Sequence, residues 1–118
     1  MATTRLSRYL RASRAAVYRA LLDPEAVQRW MVPDGADVFH GRFFKLVPDT
    51  EVVQLVEFET DDPTMQGSMT ITYLLEDAGD GTTLTGVHDN LPPGVLPADN
   101  ELGGSMSMDK LARQVEPA

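Results

Sequence analysis

Two histidines, His40 and His88, are the only imidazoles in the chain. With a carboxylate such as Asp37 or Asp89 they would, by count, make a three-ligand metal site. They lie on separate stretches without tight ligand spacing, so residue type alone builds no such site. A Ser-His-Asp arrangement could draw on Ser68, Ser105 or Ser107, yet none stands in the G-x-S-x-G turn that presents a nucleophile. Glu57, Glu59, Asp61 and Asp62 place two carboxylates on one strand face, as an acid/base pair would need. A solvated outer face accounts for them more simply. Gly103-Gly104 does not follow a strand, so it is not a phosphate-cradling loop. Cysteine is absent, which removes disulfides, thiolate ligands and a thiol nucleophile together. Hydrogen bonding and apolar contact remain: no catalytic residue, metal or cofactor is expected. His88, beside Asp89 and ahead of Leu91-Pro92-Pro93, is the foremost polar candidate for a pocket; the alternative is a strand-end histidine bonded to backbone.

These residues must be positioned by a definite order of elements. Thr4–Leu10 alternates as a strand, with Leu6, Tyr9 and Leu10 available to a core. Ser13 is a natural N-cap for a helix through Leu22, and Asp23-Pro24 stops it. A second short helix is expected over Glu25–Trp30, ended by Pro33-Asp34-Gly35. Strands follow at Val38–Val47, Glu51–Thr60, Gly67–Leu75 and Thr82–His88, with turns at Pro48-Asp49 and Asp77–Gly81. Within Gly67–Leu75, period-two spacing turns Met69, Ile71, Tyr73 and Leu75 to one side. From about Ala98 to Glu116 the spacing becomes helical, with Gly104, Met108, Leu111 and Val115 on one stripe and Asp99 or Asn100 as N-cap. Short connections make the strands antiparallel. The expected class is α+β: a curved antiparallel sheet around a long C-terminal helix, with two short helices after the first strand.

Composition narrows the function classes. The 118 residues fit one domain. The net charge of −8 argues against a phosphate-backbone partner, so no nucleic acid is expected. Charge is uneven, because six arginines fall within residues 1–30 and leave that stretch basic; this is a possible patch for an acidic protein partner. Neither a secretory leader nor a membrane span is evident, and a cytoplasmic location is expected.

Several phrases then point to a family. They are Val17-Tyr18-Arg19-Ala20-Leu21-Leu22-Asp23-Pro24-Glu25-Ala26, Arg29-Trp30, Pro33-Asp34-Gly35, His40-Gly41-Arg42-Phe43, Val47-Pro48-Asp49, Met65-Gln66-Gly67-Ser68-Met69-Thr70, His88, Leu91-Pro92-Pro93-Gly94-Val95 and Asp99-Asn100-Glu101-Leu102-Gly103. In this order they resemble the START-like, helix-grip superfamily, and more narrowly bacterial proteins similar to the C-terminal domain of the activator of the ninety-kilodalton heat-shock chaperone's ATPase. The resemblance implies an apolar cavity between sheet and C-terminal helix. Its expected lining is Trp30, Phe43, Phe58, Met69, Ile71, Tyr73, His88, Gly104 and Met108, with Trp30 near the mouth. The function implied is non-enzymatic binding of an apolar or amphipathic small molecule. A chaperone-regulating interaction module and a polyketide-cyclase-like enzyme are the alternatives.

Two departures qualify that expectation. Family members place a hairpin where this chain runs from Ala36 directly to Asp37. Either the flanks are joined directly, or a flexible stretch belongs there outside the 118 residues; the second is favoured, because losing two strands would expose sheet edges. Gly104 stands where the family carries tryptophan, which deletes a large side chain from the face lining the cavity.

Overall fold

The computed structural model describes residues 3–23, 39–58, 63–65 and 67–116. In chain order the elements are β1 (Thr4–Leu10), α1 (Arg14–Leu22), β2 (Phe39–Val47), β3 (Glu51–Phe58), a 3-10 turn (Pro63–Met65), β4 (Met69–Ala78), β5 (Gly81–Asp89) and α2 (Pro97–Val115). The second short helix, the turn after it and the Ala36–Asp37 junction lie outside the described residues. The α+β class holds, with a five-stranded antiparallel sheet ordered β1-β5-β4-β3-β2.

Local chemistry explains the boundaries. The Ser13 hydroxyl accepts from the Ala16 N–H at 3.1 Å, capping α1 as its sequence suggests. Two residues, Gly79-Asp80, join β4 to β5, and Gly79 has φ 61°, the left-handed conformation that hairpin turns of this length need. β4 thus runs three residues past the Leu75 expected, to Ala78. The N-cap of α2 is also corrected. It is Leu96, with Pro97 in the first turn, and not Asp99 or Asn100. Proline's fixed φ suits that position, and its missing N–H would have no helical partner anyway.

The inner face of the sheet follows the expected register. Met69, Ile71, Tyr73 and Leu75 are all buried, while Thr70, Thr72 and Leu74 are half-buried. On β1, Thr4 and Leu10 are buried and Leu6 is half-buried, so Tyr9 falls on the outer side and is exposed. Its expected place in the core is therefore wrong by the phase of the strand. Instead the Tyr9 hydroxyl donates to Asp80.

Among the described residues, two helices cover this face. α2 packs along β1, and α1 packs against β3, β4, β5 and α2. Met108, Leu111 and Ala112 of α2 are buried, and Val115 is half-buried against the same cluster. Arg8 pairs with Asp109, tying β1 to the helix, and Asp109 and Lys110 are half-buried.

Candidate functional site

Register assigns one transverse row of the inner face. Thr4 pairs with His88, His88 with Ile71, Ile71 with Gln54, and Gln54 with Phe43. Directly opposed residues of antiparallel strands share a face. One step along, Leu6, Gly86, Tyr73, Val52 and Leu46 form the next row. Five of the expected lining residues, counting Met108 above Gly86, therefore meet in one region.

The first row ends in a polar group at α2. Asn100 donates through Nδ2 to Thr4 Oγ1 at 2.7 Å and to His88 Nδ1 at 3.1 Å. An amide NH2 only donates, so Nδ1 accepts and the neutral ring carries its proton on Nε2. Burial pushes the His88 pKa below its usual range, against the opposing effect of the Asp89 charge. At neutral pH, His88 is thus an uncharged ring presenting an N–H donor.

Farther along the row, Gln54 is only 5% exposed, and its Oε1 is enclosed without a hydrogen-bond partner. Sequence reasoning missed it. The available signal was position: Gln54 lies at period two between Val52 and Val56, both of which face inward. Beyond it, the apolar face continues to an open margin on β2. Phe43 and Leu46 lie opposite inward residues yet are 42% and 44% exposed.

The remaining candidates fall as follows. Gly86 brings α2 close: a Cβ there would stand 3.0 Å from the Met108 methyl and 3.5 Å from the Tyr73 ring. Burial pushes the Tyr73 phenol pKa upward, keeping it neutral. Gly104 does not leave the space expected of a missing tryptophan, because a Cβ there would lie 2.8 Å from Leu6 Cδ1. The β1 side chain occupies that position. Trp30 and the side chain of Phe58 lie outside the described residues.

Of the groups weighed for catalysis, Asp37, Glu59, Asp61, Asp62 and the side chain of His40 lie outside the described residues. Ser68 donates to Glu57 at 2.6 Å in the open, and Asp89 accepts from Thr3 at 2.9 Å. Ser105 is exposed and Ser107 half-buried on α2. Among the described residues, no group of three His, Cys, Asp or Glu side chains is placed to hold a metal. None of the described helices is long and apolar enough to cross a membrane. A separate hollow of 390 Å³, lined by Ala15, Tyr18, Arg19, Leu22, Asp23 and Asp49, lies beside α1.

Comparison with known proteins places this arrangement. The family model described as activator of Hsp90 ATPase homolog 1-like protein matches residues 11–116. The chain belongs to this family. Within the activator-homologue family and its fold, protein CV1439 from Chromobacterium violaceum is similar at 30% identity, with TM-score 0.86 and 98% of each chain covered. Protein MLL2253 from Mesorhizobium loti is 17% identical, with TM-score 0.81 over 95% of both chains. The structure titled as the Aha1 dimer from Colwellia psychrerythraea is 18% identical, with TM-score 0.75 over 98% of this chain and 97% of that one. No curated protein matches.

Proposed function

We propose that this activator-homologue domain binds an apolar or amphipathic small molecule on the inner face of its sheet, without transforming it. The enclosed, unpartnered Gln54 Oε1 carries this reading. An acceptor removed from water without a replacement donor is costly, and a ligand can supply that donor. The surroundings fit. Ile71, Tyr73, Val52 and Met108 are the buried apolar packing around it, while Phe43 and Leu46 form an accessible margin. Apolar walls with a few placed polar groups are what small-molecule sites generally use. His88 and Gln54 are both neutral, which suits orientation of a ligand more than acid/base work.

Native mass spectrometry of freshly purified full-length protein tests the reading. A co-purified small molecule should appear and should be lost on solvent extraction. Protein that runs at its bare mass and gains none from a cell extract's lipophilic fraction would overturn it.

A second reading, that the domain regulates a chaperone by docking on it, has its own support. Leu102 and Met106, one turn apart on α2, are 63% and 45% exposed, and the family description names an ATPase activator. It requires chaperone ATPase to rise when the domain is added and to fall back with Leu102→Glu.

A further inference from the structure

The strand order β1-β5-β4-β3-β2 leaves the far side of β2 without a strand among the described residues. An open edge offers unpaired N–H and C=O groups to another chain, and proteins usually blunt it with free charge. Here Phe43, Phe44 and Leu46 are all exposed on it, Phe44 at 67%. The cation among them, Lys45, is held by Glu51 of β3 at 3.1 Å. The opposite edge differs, because on β1 Tyr9 is engaged by Asp80 and Arg8 is tied to α2.

A bulge gives this run an unusual pattern. The register passes from Phe43 opposite Gln54 to Lys45 opposite Val53, so Phe44 is an extra residue. Phe43 and Leu46 lie opposite the buried Gln54 and Val52 and therefore face inward. Between them, Phe44 and Lys45 both fall on the outer side, where strict alternation would turn Lys45 inward. The run Phe43-Phe44-Lys45-Leu46 thus reads in, out, out, in, the same from either end.

We infer that β2 pairs antiparallel with β2 of a second copy of this chain, about a two-fold axis between Phe44 and Lys45. This register sets Phe43 beside Leu46 of the second copy and Phe44 beside its Lys45, and the symmetry makes each contact twice. Apolar meets apolar on the inner side, and a cation meets an aromatic face on the outer side. A slip of one residue breaks the match: it sets inward Phe43 against outward Lys45, or Lys45 against its own copy. β2 has nine residues, so the shared strip is about 30 Å long and one strand spacing wide. That falls short of the roughly 800 Å² per partner of a standard interface, and the dimer is accordingly weak and concentration-dependent. The inference does not rest on the small-molecule reading.

Sedimentation equilibrium on the full chain, from micromolar to millimolar, reads the interface. The average mass should rise from 13.0 kDa toward twice that value. Phe44→Lys opposes two pairs of like charges across the axis and should weaken dimerisation about tenfold. Phe44→Glu loses the same ring but gains two ion pairs, and should hold the affinity within about threefold. Both variants should melt with the parent protein when dilute, since Phe44 is exposed in the single chain. The chain has no cysteine, so introduced thiols report the register. In an oxidised mixture of Phe43→Cys and Leu46→Cys proteins, the mixed disulfide should dominate. Opposed residues lie about 5 Å apart at Cβ, whereas each like pair is offset by roughly 10 Å. A mass that stays at 13.0 kDa throughout would overturn the dimer. Equal weakening by Phe44→Lys and Phe44→Glu, or a statistical mixture of disulfides, would overturn the register. A dimer lost with Leu102→Glu and kept with Phe44→Lys would overturn β2 as the contact.

Discussion

His88 resists protonation in the fold, since its burial disfavours the charged ring. In the unfolded chain its pKa returns to about 6.5. As pH falls, the unfolded state therefore takes up the proton first. The stability linked to His88 is complete above about pH 6.5 and is lost as pH drops from there toward the lower folded value. Urea midpoints at pH 7.5 and 5.5 should consequently differ more for the parent protein than for His88→Gln. An equal drop in both would show that His88 is not the responsible group. The residue itself was legible in the sequence, because only two histidines exist and one precedes the Leu-Pro-Pro loop. Its partner was not. Asn100 looks like a helix cap by type, and only the approach of α2 to β1 turns its amide toward Thr4 and His88. Gln54 was hidden differently: a glutamine in a strand signals nothing by chemistry, and only the inward phase of Val52 and Val56 exposes its position.

At the scale of elements, α2 carries two adjacent glycines with opposite surroundings. A Cβ at Gly103 would meet nothing within 4 Å, whereas at Gly104 it would press on Leu6. Gly103→Ala should therefore raise stability by about 1 kcal/mol, the usual helix-propensity gain. Gly104→Ala should recover less, because Leu6 must move to admit the methyl. Thermal melts of the two variants check this, and equal gains would mean that Leu6 yields freely. Elements with a strong period were readable in advance. β1 and α1 were found at their ends, and the inward set of β4 was correct, because alternation and a serine cap are local signals. The start of α2 was misplaced, since its cap is Leu96, whose side chain makes no capping hydrogen bond. Phe43 was expected among the lining, and register does put it on that face. Its exposure depends on what covers β2, which no local pattern in the sequence states.

Across the whole molecule, the first strand in the chain pairs with the last. Leu10 lies opposite Thr82, and Thr4 opposite His88. β4 and β5, by contrast, close through the two-residue Gly79-Asp80 turn. Loop-closure entropy favours the short loop first and makes the β1–β5 pairing a late event. Leu10→Ala and Leu75→Ala both remove buried side chains, and each should cost about 2–5 kcal/mol. Their kinetics should differ. Leu75→Ala is expected to slow folding, whereas Leu10→Ala should mainly speed unfolding, as chevron plots would show. The reverse assignment would place β1 in the nucleus. The same pairing also governs events during synthesis. β1 leaves the ribosome with no strand to join and stays unpaired until β5 has followed, whereas α1 can already pack on β3 and β4. α2, which packs on β1, can dock only after that. The first strand made waits for the last.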